Sequence, residues 1–296
     1  MARYTPADIK FLGLGAEKSG TTWLFAVLKK HPDIFMPDSK ELYYFNHDYW
    51  HRPNVKNYRF DKPINWYLSF YDDATPQQCK GEICPAYLMD QFAARKIHAF
   101  NPDVKLFAML RNPVERAFSQ YLFYIQIGEL DSKTTFTEAI KTHKEILTRG
   151  LYYEQLERYY SMFPSANLLV MLLDDLKKDS TLLLQRVQKH LGLREYIPDD
   201  IDDAVNVSMV PRFELLNRIY AMGKYYARKY SLNRLLDFLN ATGVADALNS
   251  LRYKNFRPAP IKRSIDPATA WELKPFFRAD IERLESLLGR DLGTWK

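Results

Sequence analysis

The sequence has few thiols and no long apolar run. Its only cysteines, Cys79 and Cys84, give no disulfide framework, and nearby His98 does not complete a metal-ligand pattern. No stretch of 18 apolar residues is free of charge, and the first residues contain no apolar signal region. These absences argue against a disulfide-bonded secreted scaffold and a membrane span. We therefore expect a cytoplasmic protein with free or buried thiols.

Apolar segments alternate with helical patterns along the chain, and hydrophobic residues make up 47% of it, enough to fill a large core. Apolar strands separated by helices indicate an α/β fold with a parallel sheet covered by helices on both faces. Strands are predicted at residues 10–15, 78–83, 104–110 and 167–173. Helices are predicted at residues 23–30, 93–100, 115–127, 136–148, 152–163, 182–191 and 267–288.

A glycine-rich segment joins the first predicted strand to the first predicted helix. Residues 13–22 read Gly-Leu-Gly-Ala-Glu-Lys-Ser-Gly-Thr-Thr. A strand that turns through glycines into a helix points backbone N–H groups outward at the positive end of the helix dipole, where phosphate oxygens bind. Lys18 adds a cation. Because Lys18 precedes Gly20, whereas a nucleotide-triphosphate P-loop has its lysine after the second glycine, we predict a P-loop-like site of another kind.

A second candidate phosphate ligand follows the strand at residues 104–110. Arg111 is followed by Asn112-Pro113 and by a helix that carries Ser119. Arginine binds phosphate through two N–H groups, and about two turns of helix bring a hydroxyl to the same anion. Alternatively, Pro113 merely starts the helix. Lys18 and Arg111 both follow predicted strands, and open α/β sheets bind ligands at the carboxyl ends of their strands.

Together the two segments resemble the cofactor motifs of sulfotransferases that use 3′-phosphoadenosine-5′-phosphosulfate (PAPS). The order Lys-Ser-Gly-Thr-Thr-Trp resembles their 5′-phosphosulfate loop, and Arg111 with Ser119 resembles their 3′-phosphate motif. The resemblance implies a P-loop-like nucleotide-binding architecture and cofactor contacts from Lys18, Ser19, Gly20, Thr21, Thr22, Trp23, Arg111 and Ser119. Further contacts are expected from Tyr152 and from the loop that contains Arg257, Lys262 and Arg263. A sulfuryl group carries one negative charge, so we expect no metal.

The two branches of this family differ in their catalytic base. Where the cytosolic small-molecule branch has a histidine, this chain reads Gly-Glu-Ile-Cys-Pro-Ala-Tyr at residues 81–87. Residues 31–33, His-Pro-Asp, and 40–45, Lys-Glu-Leu-Tyr-Tyr-Phe, instead resemble the heparan-type glycan sulfotransferases and their bacterial soluble relatives, in which the glutamate acts as base. The resemblance implies Glu41 as base and Lys18 as the cation at the leaving phosphate, with Glu82 as second choice for the base.

Two observations bear on this assignment. Glu41 is also compatible with a second interpretation, a surface acid paired with Lys40 or Lys18, because a glutamate beside cations is expected in that role as well as in the role of a base. Ile83 stands where several glycan members have a lysine that is proposed to help sulfuryl transfer. Lys18 would then have to act without it.

The net charge of +6 is concentrated in one stretch. Residues 205–263 contain eleven Lys or Arg against three acids, and apolar residues recur there at roughly helical spacing. We predict a basic helical cap, or insertion, within a single domain over residues 1–296. One interpretation is a solvated helix face with no further role. The other is a cap that attracts an acidic acceptor, the PAPS phosphates or an anionic membrane surface, in which case the protein would bind peripherally to the membrane.

Several classes of acceptor are compatible with the sequence. The expected reaction is O-sulfation of a saccharide or glycolipid, and a hydroxylated acyl chain on a carrier protein or a peptide tyrosine also presents a hydroxyl. Nucleic acid is not an expected partner. Two other classes stay open. A nucleotide or small-molecule kinase would need Mg²⁺, and the position of Lys18 counts against it. A non-catalytic nucleotide-binding module would keep Lys18 and Arg111 but tolerate loss of Glu41.

Overall fold

The computed structural model describes residues 3–49, 52–202, 209–211, 256–258 and 264–296. The strands of this part of the chain are β1 (Ile9–Gly15), β2 (Ile34–Phe35), β3 (Asp48–Tyr49), β4 (Arg52–Lys56), β5 (Cys79–Ile83), β6 (Lys105–Leu110), β7 (Leu168–Leu172), β8 (Met209–Pro211) and β9 (Phe256–Pro258).

Helices lie between these strands and after them. They are α1 (Thr21–Lys29), α2 (Ile64–Leu68), α3 (Ala86–Met89), α4 (Ala93–Phe100), α5 (Pro113–Ile127), α6 (Phe136–Thr142), α7 (Glu145–Thr148), α8 (Tyr152–Tyr160), α9 (Leu173–Lys178), α10 (Ser180–Leu191) and α11 (Pro267–Leu288). Among the helices described here, none has the length and apolar character that a membrane span requires.

A five-stranded parallel sheet runs in the order β2-β5-β1-β6-β7. Its central strand is β1, in which Leu12 is paired with Glu82 of β5 and with Leu106 of β6. Since the three strands are parallel and adjacent, the segments that follow them leave the same edge of the sheet side by side. This arrangement confirms the predicted α/β class and the parallel sheet.

The core of the sheet lies on both of its faces. On one face, Phe11, Phe107 and Met171 pack against apolar side chains of α1 and α10, among them Leu24 and Leu184. The alternate residues point to the other face, and Leu12, Leu14, Leu106, Ala108 and Leu172 are also buried. Burial of both faces explains why these strands read as nearly continuous apolar runs.

The chain divides into two compact units. The first comprises Met1–Arg116, Arg149–Asn206 and Lys274–Lys296 and contains the parallel sheet. The second comprises Ala117–Thr148 and Val207–Leu273 and has an apolar cluster of its own around Tyr124, Ala139 and Ile146.

Several elements differ from the sequence prediction. The helix predicted at residues 136–148 is two helices, because His143 has φ −122° and ψ 74° and so leaves the helical region. The predicted basic cap at residues 205–263 lies outside the described residues, apart from the antiparallel strands β8 and β9. Strand β2, the β3–β4 pair and the short helices α2, α3 and α9 were not predicted.

Candidate functional site

The segment that the sequence predicts to bind phosphate, here called the phosphate loop, runs from the end of β1 to the start of α1. Lys18 has φ 65° and Gly20 has φ 92°, so the chain passes twice through the left-handed region before the helix begins. A Cβ on Gly20 would lie 2.8 Å from Met109 Sδ and 2.9 Å from Leu173 Cδ1. The backbone conformation therefore favours glycine, and a side chain here would also have to displace the ends of Met109 and Leu173. The first N–H groups of α1 have no partner within the helix, which suits them to bind an anion.

Charges from three segments act on the ammonium group of Lys18. Burial lowers the pKa of Lys18, and the positive charges of Arg111 and Lys40 lower it further. The negative charges of Glu17 and Glu41 act in the opposite direction. Arg111 and Glu41, which the sequence assigned to separate motifs, thus both lie close enough for their charges to act on Lys18.

Arg111 is directed toward the phosphate loop. Its Nη1 donates a hydrogen bond of 3.4 Å to the carbonyl oxygen of Lys18, while Nε and Nη2 donate to Glu115 Oε2 at 3.2 and 3.1 Å. Lys177 Nζ lies 3.6 Å from the same Glu115 oxygen, and the Glu115 side chain is 43% exposed. A phosphate that binds Arg111 in the bidentate manner would compete with this accessible carboxylate.

Tyr152 lies behind the two phosphate motifs. It is completely buried, and its hydroxyl donates a hydrogen bond of 2.9 Å to the carbonyl oxygen of Arg111. Burial raises the pKa of the Tyr152 phenol, against the opposing effects of the Arg116 charge and of hydrogen bonds with Arg111 and Ser19. The Tyr152 phenol therefore links the phosphate loop to the segment that follows β6, and it contacts protein groups on both sides.

The remaining predicted cofactor residues have varied environments. In the first turn of α1, Thr22 is exposed, whereas Thr21 and Trp23 are buried, and Trp23 Nε1 donates to the carbonyl oxygen of Ile201 at 2.8 Å. Ser119 is partly buried on α5 and belongs to the second compact unit. Arg257 is paired with Val210 through β8 and β9, and its side chain, with Lys262 and Arg263, lies outside the described part of the chain.

Glu41 is held by its two neighbours in the motif. Lys40 Nζ donates to Glu41 Oε1 at 2.7 Å, and the Tyr43 hydroxyl donates to Oε2. The Glu41 side chain is 28% exposed, so a molecule from solvent can reach it. Each carboxylate oxygen has a second lone pair, so both contacts are compatible with a further hydrogen bond from an acceptor hydroxyl.

Glu82 is placed quite differently. It is completely buried in β5, where its Oε1 accepts 2.7 Å from the Tyr87 hydroxyl and its Oε2 accepts 3.1 Å from the Leu42 amide. Burial raises the pKa of Glu82 to about 7, against hydrogen bonds from Tyr87, Leu42 and Tyr67, and the charge of Glu41 raises it further. The carboxyl group thus binds the backbone next to Glu41 from inside the protein.

Residues 41–46 form no helix or strand, and side chains from elsewhere bind their backbone carbonyl groups. Arg59 Nη1 donates to the carbonyl oxygens of Glu41 and Leu42 at 3.4 and 3.0 Å. Asn57 Nδ2 donates to those of Tyr43 and Asn46 at 2.5 and 2.9 Å. Lys96 Nζ donates to that of Tyr44 at 2.6 Å and lies 3.7 Å from the centre of its ring.

These contacts satisfy polar groups that regular structure would otherwise pair. Burial lowers the pKa of Lys96 to about 8, against the charges of Asp61 and Asp90. Sequence analysis missed all three side chains, because nothing in a single sequence marks an isolated Asn, Arg or Lys as the partner of a distant carbonyl.

Two other predicted features have structural contacts. His31 is buried, its Nδ1 accepts from the Asp33 amide and its Nε2 lies 3.1 Å from the carbonyl oxygen of Arg194. This pattern corresponds to a neutral imidazole with the proton on Nε2.

Ile83 is completely buried in the core cluster beside α1. Within the described residues, no group of three or more His, Cys, Asp or Glu is arranged to hold a metal ion.

Comparison with known proteins gives a consistent result at three levels. The family model described as "Sulfotransferase domain" matches residues 8–219. Heparan sulfate glucosamine 3-O-sulfotransferase 6 of mouse and of human is 29% identical over 198 residues, which cover 63% of this chain and 53% of the relative. The membrane-associated sulfotransferase kil1 of Dictyostelium discoideum is 36% identical over 119 residues, 39% of this chain and 23% of that protein.

A solved structure agrees with the fold. The crystal structure of a sulfotransferase from Alicyclobacillus acidocaldarius superimposes with a TM-score of 0.68 at 23% identity and covers 97% of this chain and 98% of the other. The chain spans about half the length of the 3-O-sulfotransferases that it matches.

Proposed function

Because this chain belongs to the sulfotransferase domain family, we propose that it transfers a sulfuryl group from PAPS to an acceptor hydroxyl. The observation that carries the proposal is the hydrogen bond from Arg111 to the Lys18 carbonyl oxygen, in a loop with left-handed residues at a helix N-terminus, with Glu41 close enough for its charge to act on Lys18. These groups fit both substrates. The cations and backbone N–H groups can bind the two phosphate-bearing ends of the donor. The partly exposed carboxylate of Glu41 can accept the proton of an acceptor hydroxyl.

The chain's residues would divide the work as follows. PAPS supplies a sulfuryl group whose bond to the 5′-phosphate breaks as the acceptor oxygen bonds to sulfur. Lys18 and the N–H groups at the start of α1 stabilise the negative charge on the departing phosphate oxygen. Arg111 binds the 3′-phosphate and exchanges its contact with Glu115 for the phosphate, while the role of Ser119 rests on the sequence motif alone. Glu41 takes the acceptor's proton.

Lys40 and Tyr43 orient the base in this proposal. The two donors fix the carboxylate of Glu41 on both oxygens, which limits its rotation and leaves lone pairs for the acceptor. Lys40 also adds positive charge near Lys18. This chain lacks the second lysine of several glycan members, because Ile83 stands at that position and is completely buried. Glu82 has a positioning role in this proposal, since its carboxyl group is completely buried and binds the Leu42 amide.

The acceptor that we propose is a saccharide or glycolipid hydroxyl. The support is the similarity over 63% of the chain to proteins named heparan sulfate glucosamine 3-O-sulfotransferases. Partly exposed aromatic side chains near Glu41, including Tyr43, Tyr58 and Trp66, are suited to stack on sugar rings.

A transfer assay tests the activity and the acceptor together. Purified protein is incubated with sulfur-labelled PAPS and separate pools of desulfated glycosaminoglycan, glycolipid, acyl carrier protein with a hydroxylated chain, and tyrosine peptide, and labelled products are identified by mass spectrometry. We expect label in the saccharide or glycolipid pool, without added Mg²⁺, and at least about 10²-fold slower labelling with a Glu41→Gln variant. Binding of adenosine 3′,5′-bisphosphate with no transfer to any pool would indicate a binding module. ATP-dependent, Mg²⁺-dependent phosphorylation would indicate a kinase.

A further inference from the structure

The first turn of α8 is capped by a carboxylate from a distant part of the chain. Leu151 precedes the helix and has no polar side chain, so the first amides of α8 lack a local cap. Asp280 of α11 replaces it. The Tyr152 amide donates to Asp280 Oδ2 at 2.8 Å, and the Tyr153 amide donates to Oδ1 at 3.2 Å, across 128 and 127 positions in sequence.

The residue held by this cap is the one whose phenol joins the two phosphate motifs. The Tyr152 hydroxyl donates to the carbonyl oxygen of Arg111 at 2.9 Å and interacts with the hydroxyl of Ser19 in the phosphate loop. Tyr152 is therefore bound at both ends, by α11 at its backbone and by the nucleotide motifs at its side chain. Its ring also lies 6.3 Å from that of Trp295, near the end of the chain, so little space remains for it to shift.

We propose that Asp280 is a positioning residue for the nucleotide site: its carboxylate fixes the first turn of α8 and, through the Tyr152 phenol, holds the phosphate loop and Arg111 in register. This inference rests on the proposed function in that the site is taken to bind PAPS and its product. It adds that nucleotide affinity depends on the charge of a side chain that touches no nucleotide.

The surroundings of Asp280 determine the pH range in which its charge, and with it the nucleotide affinity, should change. Burial raises the pKa of Asp280 to about 6, against the two amides of α8 and the positive charge of Arg283 on α11, while the charge of Glu154 on α8 raises it further. Arg283 stacks on the Tyr153 ring at 3.8 Å and is 4.0 Å from Glu154 Oε1, so both charged groups face the cap. The carboxyl group is ionised above about pH 6 and neutral below it. An ionised oxygen accepts stronger hydrogen bonds from amides than a neutral one.

The decisive variant is Asp280→Asn, which keeps the size and one accepting oxygen but removes the charge. The dissociation constant of adenosine 3′,5′-bisphosphate is measured by calorimetry from pH 5.5 to 8 for both proteins. Because a neutral amide oxygen accepts weaker hydrogen bonds than a carboxylate, we expect affinity about 2- to 30-fold weaker in the variant at pH 8. The two proteins should converge toward pH 5.5. The nucleotide's own phosphates titrate in both cases and cancel in the ratio.

Two further variants separate positioning from general damage. Glu282→Gln removes an exposed carboxylate from the same helix and should leave the affinity unchanged. Tyr152→Phe removes the hydroxyl that interacts with Arg111 and Ser19. Asp280→Asn should therefore weaken nucleotide binding much less in the Tyr152→Phe protein than it does in the wild type. Thermal unfolding of each variant reports the loss of stability independently.

Each outcome has one meaning. A ratio of dissociation constants that falls toward one at low pH, and an Asp280 effect that disappears in Tyr152→Phe, support the inference. A ratio that does not change with pH, or additive effects of the two substitutions, overturns it while the proposed function stands. If the wild type does not bind the bisphosphate at any pH, the proposed function fails, and the inference fails with it.

Discussion

The amide of Leu42 donates a hydrogen bond of 3.1 Å to Oε2 of the buried Glu82. One residue earlier, Glu41 is partly exposed and is held by Lys40 and Tyr43. The two glutamates of the candidate site thus have distinct environments, one facing solvent and one supporting the backbone from inside. Their substitution should have different effects.

The first prediction concerns turnover. Glu41→Gln keeps the shape but removes the proton acceptor, so we expect turnover to fall by about 10²-fold or more, with affinity for adenosine 3′,5′-bisphosphate within a few fold. Glu82→Gln should cost less, because the amide can accept from Leu42 and donate to the Tyr87 oxygen. Steady-state kinetics with PAPS and a saccharide acceptor measure both. An inactive Glu82→Gln beside an active Glu41→Gln would reverse the two roles.

The second prediction concerns stability and pH. A carboxyl group whose pKa is raised to about 7 in the folded state, from 4.5, favours folding while it is protonated, and this contribution is lost as pH rises through 7. Relative to Glu82→Gln, the wild type should lose on the order of 3 kcal/mol of unfolding free energy between about pH 4.5 and 8. Urea unfolding at several pH values measures the difference. A difference that grows in the opposite direction would show that Glu82 is ionised in the folded protein.

The third prediction concerns the 3′-phosphate. Arg111→Ala removes a bidentate charged donor, so binding of adenosine 3′,5′-bisphosphate should weaken by about 2 to 4 kcal/mol. Binding of 5′-AMP, which has no 3′-phosphate, should hardly change. Calorimetry with both nucleotides provides the test, and equal losses for the two would contradict the assignment. Glu115→Gln is the matched control, since it leaves Arg111 in place and removes the competing carboxylate, and it should not weaken bisphosphate binding.

The fourth prediction concerns the segment that carries Glu41. Asn57→Ala leaves the carbonyl groups of Tyr43 and Asn46, partly buried and buried, without this donor, which should cost about 1 to 3 kcal/mol of stability and lower turnover several fold. Asn101 is a suitable control, because its Nδ2 likewise binds two carbonyl oxygens, those of Pro6 and Ile9, away from Glu41. Asn101→Ala should lose similar stability and keep its turnover per folded molecule. Equal losses of turnover would mean that the Asn57 effect is not local.

The sequence predicts those parts of the protein whose signals are local. Strands β1, β6 and β7 follow from apolar runs, and α4 and α11 begin and end at the predicted residues because each has clear periodicity. The phosphate loop is recognisable since Gly20 must adopt a left-handed conformation in a crowded place. Arg111 is recognisable from its position directly after an apolar strand.

The parts that escaped prediction depend on distant partners. Asn57, Arg59 and Lys96 bind the segment of Glu41 through single hydrogen bonds that leave no pattern in the sequence. The cap that Asp280 provides joins residues 128 positions apart, so no local motif announces it. Glu82 is the second candidate for the base from sequence, and its burial, which sequence alone does not report, favours the positioning role proposed above. The predicted cap at residues 205–263, with its excess of Lys and Arg, remains a prediction.

Cys84 makes the edge of the sheet chemically observable. Its amide donates to the carbonyl oxygen of Gly13 at 2.9 Å, at the point where β5 and β1 lead into the site, and the side chain is completely buried. Burial raises the pKa of this thiol well above its ordinary value, so in the closed protein it is both shielded and protonated. A maleimide or disulfide reagent can therefore modify Cys84 only when the structure around this thiol opens. The rate of modification of Cys84, with and without nucleotide, would measure how often this buried region opens, using a reporter that the chain already carries.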